Sequence, residues 1–187
     1  MSWDFRLKDL ETDETLEVKP HFMYGGNIRV GCVNGELVKL PNTLAELNVT
    51  YNYSSYYYEA ARKFRQETEG IRDLNNMYSC IAIHYLEKLI KYILDTYKPN
   101  GEWLKGKRTK FLYDIKGVGS NLTFDEYMNY IERTGITECV TQKEIEYEVS
   151  EGDTDDYWEV TAANALKPLY QLLELSKMRP DGIWEVM

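Results

Sequence analysis

Apolar residues alternate with polar ones at the start of the chain. Trp3, Phe5 and Leu7 stand between Asp4, Arg6 and Lys8, the polar run LETDET interrupts, and Leu16 and Val18 resume the alternation. A period of two predicts strands, and the interruption predicts a β-hairpin closed before Pro20. HFMYGGNIRVGCVNGELVKL then carries short β-prone runs separated by Gly25-Gly26 and Asn34-Gly35, both strong turn signals, so the sheet is expected to continue as a small antiparallel meander. ELNVTYNY, residues 46–53, places Leu47, Val49, Tyr51 and Tyr53 on one face of a further strand, with a helix from about Ser55 to Glu67 after it.

The period then lengthens. Met77, Ile81, Leu86, Leu89, Ile90, Ile93, Leu94 and Tyr97 recur at helical spacing and predict a long core helix from about Asn75 to Tyr97, stopped by Pro99-Asn100-Gly101. Thr123 followed by Glu126 is a capping box and opens a helix of roughly Phe124 to Arg133 that Gly135 closes. Ile145, Tyr147 and Val149 alternate with Glu144, Glu146 and Glu148, the pattern of a strand with one apolar and one acidic face. Leu166, Leu169, Leu172 and Leu173 define a last helix of about Thr161 to Met178; Pro168 in its interior is expected to kink it or delay its start. IWEV near the end adds a short closing strand. The fold class is therefore α+β, with an N-terminal antiparallel sheet packed by the long helix and the C-terminal helix.

Composition bounds the chemistry. With 187 residues and 43% hydrophobic content, the chain fits a folded, soluble single domain with room for an insertion. No apolar stretch approaches the roughly 20 residues of a bilayer span and the first residues are charged throughout, so a cytoplasmic protein without membrane contact is expected. Cys32, Cys80 and Cys139 are few, odd in number and without CxxC spacing, which predicts reduced thiols and neither disulfides nor a zinc site. His84 lies among the apolar residues of the long helix and His21 stands alone; both read as structural. No hydrolase elbow, Walker loop, zincin or kinase signature occurs, and EGDTDDYWE lacks EF-hand spacing, so no catalytic residue, metal or cofactor is predicted.

Charge changes the picture most. Between Glu138 and Glu159 nine carboxylates face the single Lys143, and this tract carries nearly all of the formal net charge of −9. Along an extended strand Glu144, Glu146 and Glu148 repeat about every 6.6 Å, while a nucleic-acid strand repeats its phosphates roughly every 3.4 Å. Two readings stand: a mimic of nucleic acid for a basic partner, with Asp153 and Asp155 joining the row, and a charged edge that keeps the sheet from pairing with other chains. Lys105, Lys107, Arg108, Lys110 and Lys116, with Trp103, Phe111 and Tyr113 among them, have the composition of a nucleic-acid contact; the alternative is electrostatic partnership with the acidic tract. Gly117 and Gly119 are similar in spacing to a helix-hairpin-helix turn, but the next helix begins too late, and an ordinary glycine turn is the better reading. The five tyrosines of YNYSSYYY, Tyr51 to Tyr58, are expected as a core wall, with an interface or a ligand pocket as alternatives.

PHFMYGGNIRVG, AELNVTYNYSSYYYEA, GIRDLN and, above all, DDYWEVTAANALKPLYQLLELSKMRPDGIWE resemble a family of small acidic, mostly uncharacterised proteins of Gram-positive gut bacteria and their phages and prophages. The matching parts cover roughly two-thirds of the chain. The resemblance implies that residues 98–152, with the basic cluster and most of the acidic tract, are an insertion into a shared scaffold. It also implies a relation to anti-CRISPR inhibitors of type II RNA-guided nucleases. The expected function is accordingly a non-enzymatic inhibitor binding a host protein with a basic surface, such as a CRISPR effector with its guide RNA. A small-molecule-binding protein or enzyme with a tyrosine-lined pocket, and a phage structural or assembly protein, are the alternatives.

Overall fold

The computed structural model describes residues 2–26, 29–99, 103–117, 119–135, 140–153 and 156–187, with the backbone alone described along 103–111, at 120 and 140, and along 144–150. In chain order the strands and helices are β1 (Ser2–Lys8), β2 (Glu17–His21), β3 (Val30–Val33), β4 (Glu36–Lys39), β5 (Asn42–Leu44), β6 (Glu46–Thr50), α1 (Ser54–Arg62), α2 (Ser79–Tyr97), β7 (Trp103–Ile115), β8 (Gly119–Leu122), α3 (Phe124–Thr134), β9 (Val140–Ser150), α4 (Ala162–Met178) and β10 (Ile183–Val186). The fold is α+β with small antiparallel sheets. The chain divides into two compact units, one made of residues 1–102 and 151–187 and the other of residues 103–150.

In the first unit, β1 is the middle strand of a three-stranded sheet between β10 and β6. Phe5 lies opposite both Leu47 of β6 and Val186 of β10, and Leu7 lies opposite Trp184. The apolar positions of β1 predicted from alternation are buried: Trp3, Phe5 and Leu7 form a core with Leu47, Val49 and Trp184, closed by α1, α2 and α4. The opposite face carries a polar ladder. Arg6 and Lys8 both pair with Glu185, and Asn48 Nδ2 donates to Asp4 Oδ1 at 2.6 Å and to Ser2 Oγ at 2.8 Å.

The N-terminal strands are antiparallel as expected, and they divide among three small sheets. A tight return does form after β1, with Leu16 N–H donating to the Leu7 carbonyl at 2.8 Å, but β2 then leaves to pair with β5, and β3 and β4 form a separate hairpin. The hairpin expected at Asn34-Gly35 is present, both residues having positive φ. Pro20 lies inside β2 instead of ending it, tolerated because β2 has a single neighbour and an irregular register against β5. Gly25, at φ 59°, lies against Asn48: a Cβ there would fall 1.7 Å from the Asn48 carbonyl oxygen.

One helix start and one strand end differ from expectation, in each case because backbone N–H groups find other partners. The helix expected from Asn75 begins at Ser79 because residues 76–79 pair with the end of the chain: Asn76 N–H donates to the Trp184 carbonyl, Trp184 N–H to Met77 and Ser79 N–H to Gly182. Asn76, at φ 61°, makes the bend. Likewise the strand expected over 46–53 stops at Thr50. Its hydroxyl accepts from Asn52 N–H and turns Tyr51–Tyr53 into a 3-10 turn that leads into α1, which ends at Arg62. Pro168 does not delay α4, which starts at Ala162 under a Thr161 cap. At its other end the Ser176 carbonyl would meet residue 180 of the helix ladder. That residue is Pro180, which has no N–H, and Ser79 Oγ–H donates to the carbonyl instead at 3.0 Å. Ser176 Oγ in turn accepts the Trp184 indole N–H at 3.0 Å, so α2, α4 and β10 meet at one buried serine.

The second unit is a three-stranded antiparallel sheet, β8-β7-β9, with α3 packed on β7. Tyr113 stacks flat on Tyr127 of α3, with ring centroids 4.4 Å apart, and Leu112 and Ile115 of β7 are buried. Both halves of the expected capping box form at Thr123 and Glu126, and Gly135 closes α3 at φ 67°. Backbone and hydroxyl donation from Thr123 holds the Glu126 carboxyl below the usual carboxylate range. Gly117, at φ 83°, belongs to an ordinary turn between β7 and β8.

Candidate functional site

The dominant feature of the second unit is the pairing of β7 with β9, continuous from Ile115↔Val140 to Lys107↔Glu148 and resumed at Leu104↔Val149 after a register shift. Such a shift marks a bulge, where one strand carries extra residues against the other. Lys105 lies in that bulge. Lys107 stands opposite Glu148, Arg108 opposite Tyr147, Thr109 opposite Glu146, Lys110 opposite Ile145 and Phe111 opposite Glu144. The predicted acidic and basic residues therefore occupy adjacent strands. Glu144, Glu146 and Glu148 take alternate positions on an 11-residue strand, while the lysines and Arg108 are spread over both parities of β7. Lys116 follows in the turn after β7.

The acidic tract is not one surface. Asp153 belongs to the first unit, where its exposed carboxylate pairs with Lys167 Nζ at 2.5 Å. Asp155, Glu138 and Cys139 lie outside the described residues. Glu151 is 6% exposed: its carboxylate accepts from the Ala162 backbone N–H at 2.7 Å and from the Tyr56 hydroxyl, closing the first turn of α4. Asp156 Oδ1 accepts from Trp158 N–H in the turn before α4. These carboxylates shape the chain around the helix start, and periodicity gave no hint of it because the acceptor geometry is set by α4.

Tyr53, Tyr56 and Tyr57 are buried, and their hydroxyls donate to the Tyr157 carbonyl, to Glu151 and to the Ala165 carbonyl respectively. Burial raises the phenol pKa of Tyr53 and Tyr57 above the ordinary value, and that of Tyr157 to about 12. This is the core wall expected from YNYSSYYY. Tyr97, whose pKa is raised by burial and by its bond to Glu59, packs edge-on against Tyr56.

The two histidines differ. His21 is buried, and since Nδ1 accepts from Met23 N–H at 3.2 Å, Nε2 carries the proton and donates to the Leu44 carbonyl at 3.1 Å. The expected placement of His84 among apolar residues is corrected: its side chain is 80% exposed, because it falls on the outward stripe of α2 with Glu87 and Lys88. Cys32 and Cys80 are free thiols, both exposed. Among the described residues no group of three or more His, Cys, Asp or Glu side chains is placed to hold a metal ion, and no helix is long and apolar enough to cross a membrane.

A cavity of about 230 Å³ lies on the polar face of the first unit's sheet, lined by Asp4, Arg6, Tyr24, Arg29, Glu46 and Asn48. Arg29 pairs with Glu46, Arg6 pairs with Glu185 and Asp4 accepts from Asn48, so each charged side chain on its wall has a partner. The alternation of Asp4, Arg6 and Lys8 signals this polar face in the sequence; the cavity itself depends on the chain after β2 folding back over Asn48.

No protein-family model, no curated protein and no solved structure matches this chain.

Proposed function

We propose that this protein is a non-enzymatic inhibitor that binds a nucleic-acid-processing protein through the acidic strand of its second unit. The observation that supports this reading best is the alternate placement of Glu144, Glu146 and Glu148 along β9. Alternate residues of a strand repeat about every 6.6 Å, so the three glutamate positions give β9 a periodic negative charge that a positive, phosphate-binding groove would attract. A channel built to hold nucleic acid is positive along its length, and its field would speed encounter with such a row while salt screens it. A type II RNA-guided nuclease, whose guide-target duplex lies in a positively charged channel, is the partner class that the resemblance implies. Lys105, Lys107, Arg108 and Lys110 on the neighbouring strand are the candidates for contact with guide RNA or target DNA at the channel margin. The proposed setting is the cytoplasm of a bacterial host, with the gene carried by a phage or prophage.

The test is cleavage of a matched DNA target by a purified type II nuclease with its guide RNA. Addition of this protein is expected to slow cleavage. The triple variant Glu144→Lys, Glu146→Lys, Glu148→Lys, shown to be folded by circular dichroism, is expected to leave cleavage unaffected. Equal inhibition by both proteins would remove the acidic strand from the mechanism, and no inhibition by either would remove this nuclease class as the partner.

A further inference from the structure

β9 is an edge strand. β7 pairs with one side of it, and no strand among the described residues pairs with the other, which leaves the outward backbone donors and acceptors of alternate residues along 140–150 for a further strand. From this open edge we infer that the partner engages β9 by strand addition, contributing an extended segment in which lysine or arginine alternates with apolar residues. The inference rests on the proposed function and gives its contact a definite form: main-chain hydrogen bonds to the β9 edge supply the pairing, and the side-chain alternation supplies the choice of partner.

The row of glutamates decides between two occupants of that edge. A second copy of this chain pairing antiparallel through β9 would be related by a two-fold axis perpendicular to the sheet. Each residue would then lie opposite one of the same parity. Glu146 opposite Glu146 places Glu144 opposite Glu148, and a shift of two residues places Glu144 opposite Glu146. Every central register sets like charges directly across from one another, which is destabilising. The pattern that disfavours a second copy is the one a basic strand complements, with lysine or arginine opposite Glu144, Glu146 and Glu148 and apolar residues opposite Ile145, Tyr147 and Val149. A strand pairing also reads order as well as charge: a peptide with the same residues in blocks can face all three glutamates only by setting lysines opposite Ile145 and Tyr147 as well, where the alternating peptide sets valines.

The test uses the full chain and three end-blocked peptides: Lys-Val-Lys-Val-Lys-Val-Lys-Val-Lys, the same composition as five lysines followed by four valines, and the alternating sequence with every backbone nitrogen methylated. Binding is read by calorimetry, and the amides of residues 140–150 by hydrogen exchange. The alternating peptide is expected to bind about tenfold more tightly than the block peptide, because it sets valine and not lysine opposite Ile145 and Tyr147 while keeping the three charge pairs. It should slow exchange at every second amide of β9, and lose binding when Glu144, Glu146 and Glu148 are all changed to glutamine. The methylated peptide keeps the charge but not the hydrogen bonds, and is expected to give no protection. Equal binding by all three peptides, or binding without protection of β9, would overturn strand addition while leaving the electrostatic reading standing. No binding by any of them would likewise overturn it, and the cleavage assay would then decide the proposed function separately.

Discussion

Ser176→Ala removes the acceptor for the indole N–H of Trp184 and little else. Both residues are fully buried, the bond is 3.0 Å long, and alanine differs from serine by one oxygen, so the cavity left behind is small. The cost comes from a buried donor left unpaired beside α2 and α4, about 1–3 kcal/mol. Alanine's better helix propensity returns up to about 0.5 kcal/mol. A net loss of about 1–2 kcal/mol is expected, which for a chain of this size lowers Tm by about 2–8 °C. Urea unfolding followed by far-UV circular dichroism should show a lower midpoint with an unchanged slope. Hydrogen exchange at the Trp184 indole should accelerate by the same free energy if its opening is global. A loss under about 0.5 kcal/mol, the range of ordinary surface substitutions, would refute the claim that the Ser176 hydroxyl ties β10 to α4.

The β7–β9 register is checked by cysteine pairs in a background with Cys32, Cys80 and Cys139 replaced by serine. Lys107→Cys with Glu148→Cys, directly opposite, is expected to form a disulfide on mild oxidation, whereas Lys107→Cys with Glu144→Cys is not; the reverse would mean a different register. Thr123→Ala breaks the capping box of α3 and is expected to cost the second unit about 1 kcal/mol, read as earlier loss of exchange protection along 124–134; an unchanged profile would contradict the cap. Burial raises the phenol pKa of Tyr53, Tyr57, Tyr85, Tyr97 and Tyr157 above the unfolded value of about 10. The folded state thus holds these protons more tightly. Their contribution to stability is full below pH about 10 and declines as pH rises through the folded values, Tyr157 at about 12 among them. Ultraviolet titration should show these phenols ionising only together with unfolding, and their free titration near pH 10 in a folded protein would contradict their burial.

What was legible in the sequence was local. The helix of Phe124 to Thr134 was readable at both ends because its capping box and Gly135 act within one turn, and α2 and α4 were readable through their buried stripes. Strand partners were not. The alternation of Trp3, Phe5 and Leu7 shows which face of β1 is buried, yet nothing in it says that the neighbours are residues 46–50 and 183–186. The same long-range pairing took residues 76–78 away from the expected helix. At the candidate site, the alternation of Glu144, Glu146 and Glu148 gave the strand, but charge density alone grouped Glu151 and Asp153 with them. Glu151 is a buried acceptor at the start of α4, and Asp153 belongs to the first unit, distinctions that only tertiary structure makes.

The central claim, that the acidic positions of β9 bind a basic partner, is tested most directly by the salt dependence of affinity for a type II nuclease with its guide RNA. The comparison is between the wild-type chain and the neutral variant Glu144→Gln, Glu146→Gln, Glu148→Gln. Wild-type binding is expected to weaken steadily from about 50 to about 500 mM salt, and variant binding to be weaker at low salt and nearly flat across the range. Superimposable salt curves for the two proteins would contradict it.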